Sequence, residues 1–225
     1  MKKIGFIGAY DKTDLLIYIA KLLVENDLKI LIIDSTILQK TRYTVPCIMP
    51  SRKYITTYED IDVAIGFETL QEIIDYNGTK DFEYDMILAD VDSREIFESL
   101  EMQNADKNYF VTAFDNYSLK KGLEVLGKSE EKMPMTKVLF SKNMEKDEDE
   151  YLNFLSFYYA VRWNKEKIYF PFEAGDNSVI VDNQRNARIS FKELSMQYKE
   201  GILEIISQIA PEIRMGDVKK MLKNI

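Results

Sequence analysis

The sequence predicts an α/β protein, a mostly parallel sheet with helices on both faces, three layers deep. Three observations predict it. Short, continuously apolar runs recur at 3–9 (KIGFIGA), 29–35 (KILIIDS) and 85–90 (DMILAD). Stretches with apolar residues at helical spacing lie between them. The 225 residues, 46% hydrophobic, make one sizeable core and no repeat or low-complexity linker divides them. Strands apolar on both sides and separated by helices imply right-handed crossovers above and below the sheet. In such folds ligands sit at the carboxyl ends of the strands.

The elements follow in order. After the first strand, 14–26 carries Leu15, Ile19, Leu22 and Leu23 at helical spacing. The strand 29–35 is followed by an extended stretch, 54–66, and by a helix over 69–76 that Asn77-Gly78 stops. The strand 85–90 leads to a helix near 94–102, a strand 108–113 and a helix from about 118 to 126. The last third gives a strand 137–141, a helix 149–159, a strand 167–171 and a long helix over 191–209. The acidic run 145–150 reads as a solvated loop whose carboxylates favour the start of the next helix. The main domain spans 1–216, with 217–225 a short amphipathic segment.

Composition narrows the chemistry. With no histidine and a single cysteine, Cys47, imidazole-based hydrolases, disulfide frameworks and cysteine-cluster metal sites are excluded. Thirty basic residues against 38 acidic ones give a formal charge of -8, which disfavours a general grip on nucleic-acid phosphates. The first ten residues imitate a signal peptide, but Asp11, Lys12 and Asp14 interrupt the run, so a cytoplasmic protein is expected.

The segments that follow the strands carry a resemblance. The first strand runs into Gly8-Ala9-Tyr10-Asp11-Lys12-Thr13 and a helix; ILIIDST follows at 30–36 and YDMILAD at 84–90. ADKNYFVTAFDNYSLKKGLEVL at 105–126 and IYFPF at 168–172, the latter followed by a short helical piece and a long helix, complete the order. In this order the chain resembles the MinD/ParA group of P-loop ATPases over nearly its whole length, including atypical members that position pilus or secretion machinery. The resemblance implies a P-loop NTPase-like fold. It implies a nucleotide loop at Gly8, Asp11, Lys12 and Thr13, with Thr13 and Asp90 as ligands of Mg²⁺. It also places Asn143 and Pro171 beside an adenine.

The loop departs from the family's pattern, Lys-Gly-Gly-x-Gly-Lys-Thr/Ser. Gly8, Lys12 and Thr13 match, whereas Ile7, Ala9 and Asp11 stand where the family has lysine, glycine and glycine. A carboxylate about 4 Å from a phosphate charge repels it by roughly 4 kcal/mol at an effective dielectric near 20, comparable to the attraction of Lys12. With Asp11 as N-cap and Asp14 at the third helical position, the same residues approximate a capping box, the helix's anion site taken by the chain itself. Thr36, a poor base, replaces the second aspartate of the family's strand-2 motif, which orients the attacking water.

These departures imply a scaffold or spatial-positioning protein with weak or absent ATP hydrolysis and no cofactor. It is expected to be a homodimer serving a protein partner of an envelope or segregation machine. The alternative is a member in which Lys12, Thr13 and Asp90 bind Mg-ATP and slow hydrolysis times dimerisation or membrane association. In 217–225, apolar residues at 218, 221, 222 and 225 share one helical face and Lys219, Lys220 and Lys223 lie elsewhere. That pattern suits either a peripheral anchor at the inner membrane surface or a terminal helix packed on the domain. The aromatics Phe154, Phe157, Tyr158, Tyr159, Trp163, Tyr169, Phe170 and Phe172 read as core or dimer surface.

Overall fold

The computed structural model describes the chain apart from residues 49–50, 79–81, 142–145 and 225, and apart from the side chains of 146–148 and 223–224. Asn143 therefore lies outside the described residues. The strands are β1 (Lys2–Ile7), β2 (Ile30–Asp34), β3 (Tyr54–Tyr58), β4 (Ile61–Ile65), β5 (Met86–Val91), β6 (Lys107–Ala113), β7 (Met133–Ser141) and β8 (Val161–Pro171). They form one sheet in the order β3-β4-β2-β5-β1-β6-β7-β8, parallel except for the β3–β4 pair. The helices are α1 (Thr13–Val24), α2 (Thr41–Thr44), α3 (Leu70–Asn77), α4 (Arg94–Ser99), α5 (Asn116–Leu126), α6 (Lys146–Leu155), α7 (Ala174–Arg185), α8 (Met196–Ile209) and α9 (Met215–Asn224).

Side chains alternate across the sheet, as the strand period of two requires. Ile4, Phe6, Ile32 and Leu88 face a core closed by α1, α8 and α9; Ile7, Ile33, Ala89 and Phe110 face a second, closed by α3, α4, α5 and α6. Each of these buried side chains larger than alanine contributes about 1.5–3 kcal/mol. The three layers expected from the apolar runs are present.

Several elements differ from the sequence reading. The extended stretch 54–66 is an antiparallel hairpin whose turn residues, Glu59 and Asp60, have φ of 46° and 66°. Such a turn normally takes Asn or Gly. Here Glu59 is held by partners: its carboxylate pairs with Lys21 at 3.0 Å and accepts from Ile189 N–H at 3.0 Å. The long helix begins at Met196 rather than 191, because Ser195 caps it; Asp176 in turn accepts from the Ser195 N–H and hydroxyl. Before it lies a full helix, α7, longer than the short piece expected.

The acidic run is not simply solvated. Asp149 is buried at 6% exposure, 2.5 Å from Lys137 Nζ, itself 1% exposed, and Lys167 reaches its other oxygen. Lys137 also donates to Asn153 at 2.6 Å and lies over the Trp163 ring, so one ion cluster pins α6 to β7 and β8.

Candidate functional site

The carboxyl ends of β1, β2 and β5 bring the expected residues together. Gly8 leaves β1 with φ of +138°, and a Cβ there would lie 2.3 Å from the Val111 carbonyl on β6. Only glycine allows the chain to turn so close to its neighbour. Four residues later Lys12 folds back, and its Nζ lies 2.8 Å from Asp90 Oδ1 at the end of β5. The ammonium also donates to the carbonyls of Gly8 at 2.6 Å and Tyr10 at 3.0 Å. Lys12 is 2% exposed and Asp90 3%.

That pair is close but poorly angled, and Asp90 Oδ1 has no hydrogen-bond donor among the described residues. Burial, which opposes the charged form more than Lys12 favours it, pushes the Asp90 carboxyl above the ordinary range. Asp90 does not cap the following helix; Ser93 does, accepting from Ile96 N–H.

Asp11 plays a different part from the capping box expected. The helix starts one residue later, at Thr13, with Lys12 in the N-cap position and no side-chain cap. Asp14 is thus too early to reach back, and it accepts instead from Gln184 at 2.8 Å. Asp11 still takes one free N–H of the helix start: its Oδ1 accepts from Thr13 N–H at 3.1 Å, and Oδ2 pairs with Lys40 at 2.8 Å. Burial works against ionisation of Asp11, but the bonds from Lys40 and Thr13 outweigh it and hold the carboxyl below its usual range. Asp14 makes no comparable ion pair, and burial, outweighing the Gln184 hydrogen bond and the more distant Lys40, raises it to about 6.

The segment after β2 is tied to the same region. Asp34, fully buried, accepts from Thr36 N–H and hydroxyl and from Thr41 N–H. The Thr36 hydroxyl, donating to Asp34 at 2.6 Å and accepting from Gln39 N–H at 3.0 Å, is thereby committed to the loop. Asp92 accepts from Ile37 N–H at 3.1 Å.

Asp11, Lys12, Thr13, Lys40 and Asp90 line a cleft of only about 60 Å³. The lysine is spent on Asp90 and two carbonyls and an acid occupies the helix start, an arrangement that disfavours a magnesium triphosphate. Beyond Tyr10 and Asp11 a second, larger cleft of about 540 Å³ reaches Pro171 and Phe172. The sequence reading identified Lys12, Asp11 and Asp90 one by one, but neither their pairing nor the counter-charge from Lys40. A lysine 78 residues from its acid leaves no local signal.

No protein-family model matches the sequence, and no curated protein matches it. Solved structures do. The MinC:MinD cell division complex of Aquifex aeolicus aligns with TM-score 0.58 and 15% identity, over 95% of this chain and 98% of that one. The fold is that of the MinD and ParA ATPases. A ParA family ATPase from Chlorobium tepidum matches the same MinD/ParA fold with TM-score 0.57 and 13% identity, over 89% and 96% of the two chains. A Cyanothece McdA variant in complex with ATP gives 0.57 and 13%, over 95% and 97%. The MinD/ParA fold places the chain's Gly8 to Thr13 loop at the head of its first helix, as a P-loop NTPase fold requires. Among the described residues no helix is long and apolar enough to cross a membrane.

Proposed function

We propose that this chain is a MinD/ParA-fold scaffold or spatial-positioning protein in which ATP hydrolysis is weak or absent. It acts in the cytoplasm, as a homodimer, on a protein partner of an envelope or segregation machine. The observation that supports this is the closed circuit at the loop, Lys12 on Asp90 with Asp11 across the helix start. Opening it for a triphosphate means drawing Lys12 away from Asp90 and the Gly8 and Tyr10 carbonyls. The new anion would then face Asp11.

Calorimetric titration of Mg-ATP and Mg-ADP tests the proposal on the native chain, Lys12→Ala and Asp11→Gly. The expected result is no millimolar binding by the native chain and none by Lys12→Ala, with binding gained in Asp11→Gly. Clear binding to the native chain that Lys12→Ala abolishes establishes instead a nucleotide-switched protein using Lys12, Thr13 and Asp90. That reading draws on the convergence of the three residues on one cleft.

A further inference from the structure

The larger cleft has walls of contrasting kinds. Tyr10, Phe140 and Phe172 form an aromatic cluster in its lining, with Tyr10 4.6 Å from Phe140 and 6.3 Å from Phe172 between ring centroids. The same lining includes Asp11, Asp14, Glu173 and Asp176. Asp176 is spent on Ser195 and Asp11 on Lys40, whereas Asp14 accepts its hydrogen bonds from the neutral Gln184, with Lys40 acting on it only through space, and Glu173 is exposed. No lysine or arginine lines the cleft among the described residues. The potential inside is therefore negative, and an anionic ligand would be repelled from every acidic wall. A cation with an apolar stem suits both kinds of lining: Asp14 and Glu173 attract the charge, and the rings suit the stem and the ammonium.

We propose that this cleft binds an alkylammonium group, supplied either by a free linear polyamine or by a lysine side chain of a protein partner. The site is independent of Lys12 and Asp90, and it gives the proposed scaffold a ligand chemistry opposite to that of a nucleotide. Its volume, about 540 Å³, is that of a small-molecule site.

Calorimetry at about 150 mM salt, with spermidine in one arm and a short lysine-rich peptide in the other, tests it on the full chain. Four proteins are compared: native, Phe172→Ala, the Asp14→Asn/Glu173→Gln pair, and Glu83→Gln, an exposed acid away from the cleft. Phe172 is 49% exposed, so its truncation is expected to leave the fold intact, which urea unfolding checks. The expected result is binding to the native chain, weakened about fivefold by Phe172→Ala and about tenfold by the acid pair, with Glu83→Gln unchanged. Tighter spermidine binding identifies a free polyamine as the source; tighter peptide binding identifies a partner's lysine. Absence of binding in both arms overturns the proposal. So does binding that survives Phe172→Ala and the acid pair, or falls equally in Glu83→Gln, since that is charge attraction by an acidic protein. Mg-ATP binding by the native chain would overturn the scaffold reading without touching this result.

Discussion

Lys137 shows how much one side chain carries in this protein. Its ammonium is buried between Asp149 and Asn153, and the Asp149 carboxylate takes Lys167 as well. Removing Lys137 leaves Asp149 with a single, more exposed partner, so Lys137→Ala is expected to cost about 3 kcal/mol, read from urea unfolding. The cluster also sets a pH response. Burial raises the Asp149 pKa, but the hydrogen bonds from Lys137 and Lys167 lower it further, and the net value is depressed. A carboxyl depressed in the folded state contributes stability above its unfolded pKa of about 3.9. That contribution is lost as pH falls through the folded value, so an Asp149→Asn chain should lose less stability than the native one on acidification below about pH 4. An equal loss in both would refute the assignment. At this scale the sequence was partly legible. Lys12, Asp11 and Asp90 stand out by their places after strands, because the strands themselves are legible. The lysine and acid pairings are not, since Asp149 and Lys137, or Lys12 and Asp90, meet only once the sheet is assembled.

Among the elements, α9 turns one side of its amphipathic pattern into the core. Its buried residues, Val218 and Leu222, lie in the same core as α1 and α8, and Asn26 Nδ2 donates to Met221 Sδ at 3.3 Å. The helix starts at Met215, ahead of the 217 boundary suggested by its charge pattern. Membrane contact by this face would require it to leave the core. Val218→Asp is accordingly expected to destabilise the domain by about 3 kcal/mol in urea, the cost of a buried unpaired charge. Reversing the exposed Lys219 and Lys220 to glutamate should leave sedimentation with anionic vesicles unchanged; reduced pelleting would show the helix acting at a lipid surface. The strands of the sheet were legible because they are buried on both faces and therefore continuously apolar. The β3–β4 hairpin was not, because Glu59 and Asp60 lack a turn signature and Glu59 is held by the distant Lys21 and Ile189. Most of α7 also went unread: of its twelve residues only Asp176 and Asn183 are buried, so it has little apolar stripe to betray it.

At the scale of the whole molecule, the proposed scaffold role predicts that assembly does not answer to nucleotide. Analytical ultracentrifugation of the full chain with and without Mg-ATP should give one sedimentation distribution in both conditions. A nucleotide-dependent shift would mean that the circuit of Lys12 and Asp90 opens and that the fold still works as a switch. The sheet bears on assembly in another way. Its two outermost strands, β3 and β8, each leave one row of backbone groups unpaired by any strand of this sheet. On β8 that margin is long, runs through a register shift opposite Met135 to Lys137, and carries exposed Arg162, Lys165, Glu166 and Lys167 across its middle. A second molecule sliding alongside to extend the ladder would have to fit an irregular rim and bury these charges, so the strand guards the protein against amyloid-like stacking.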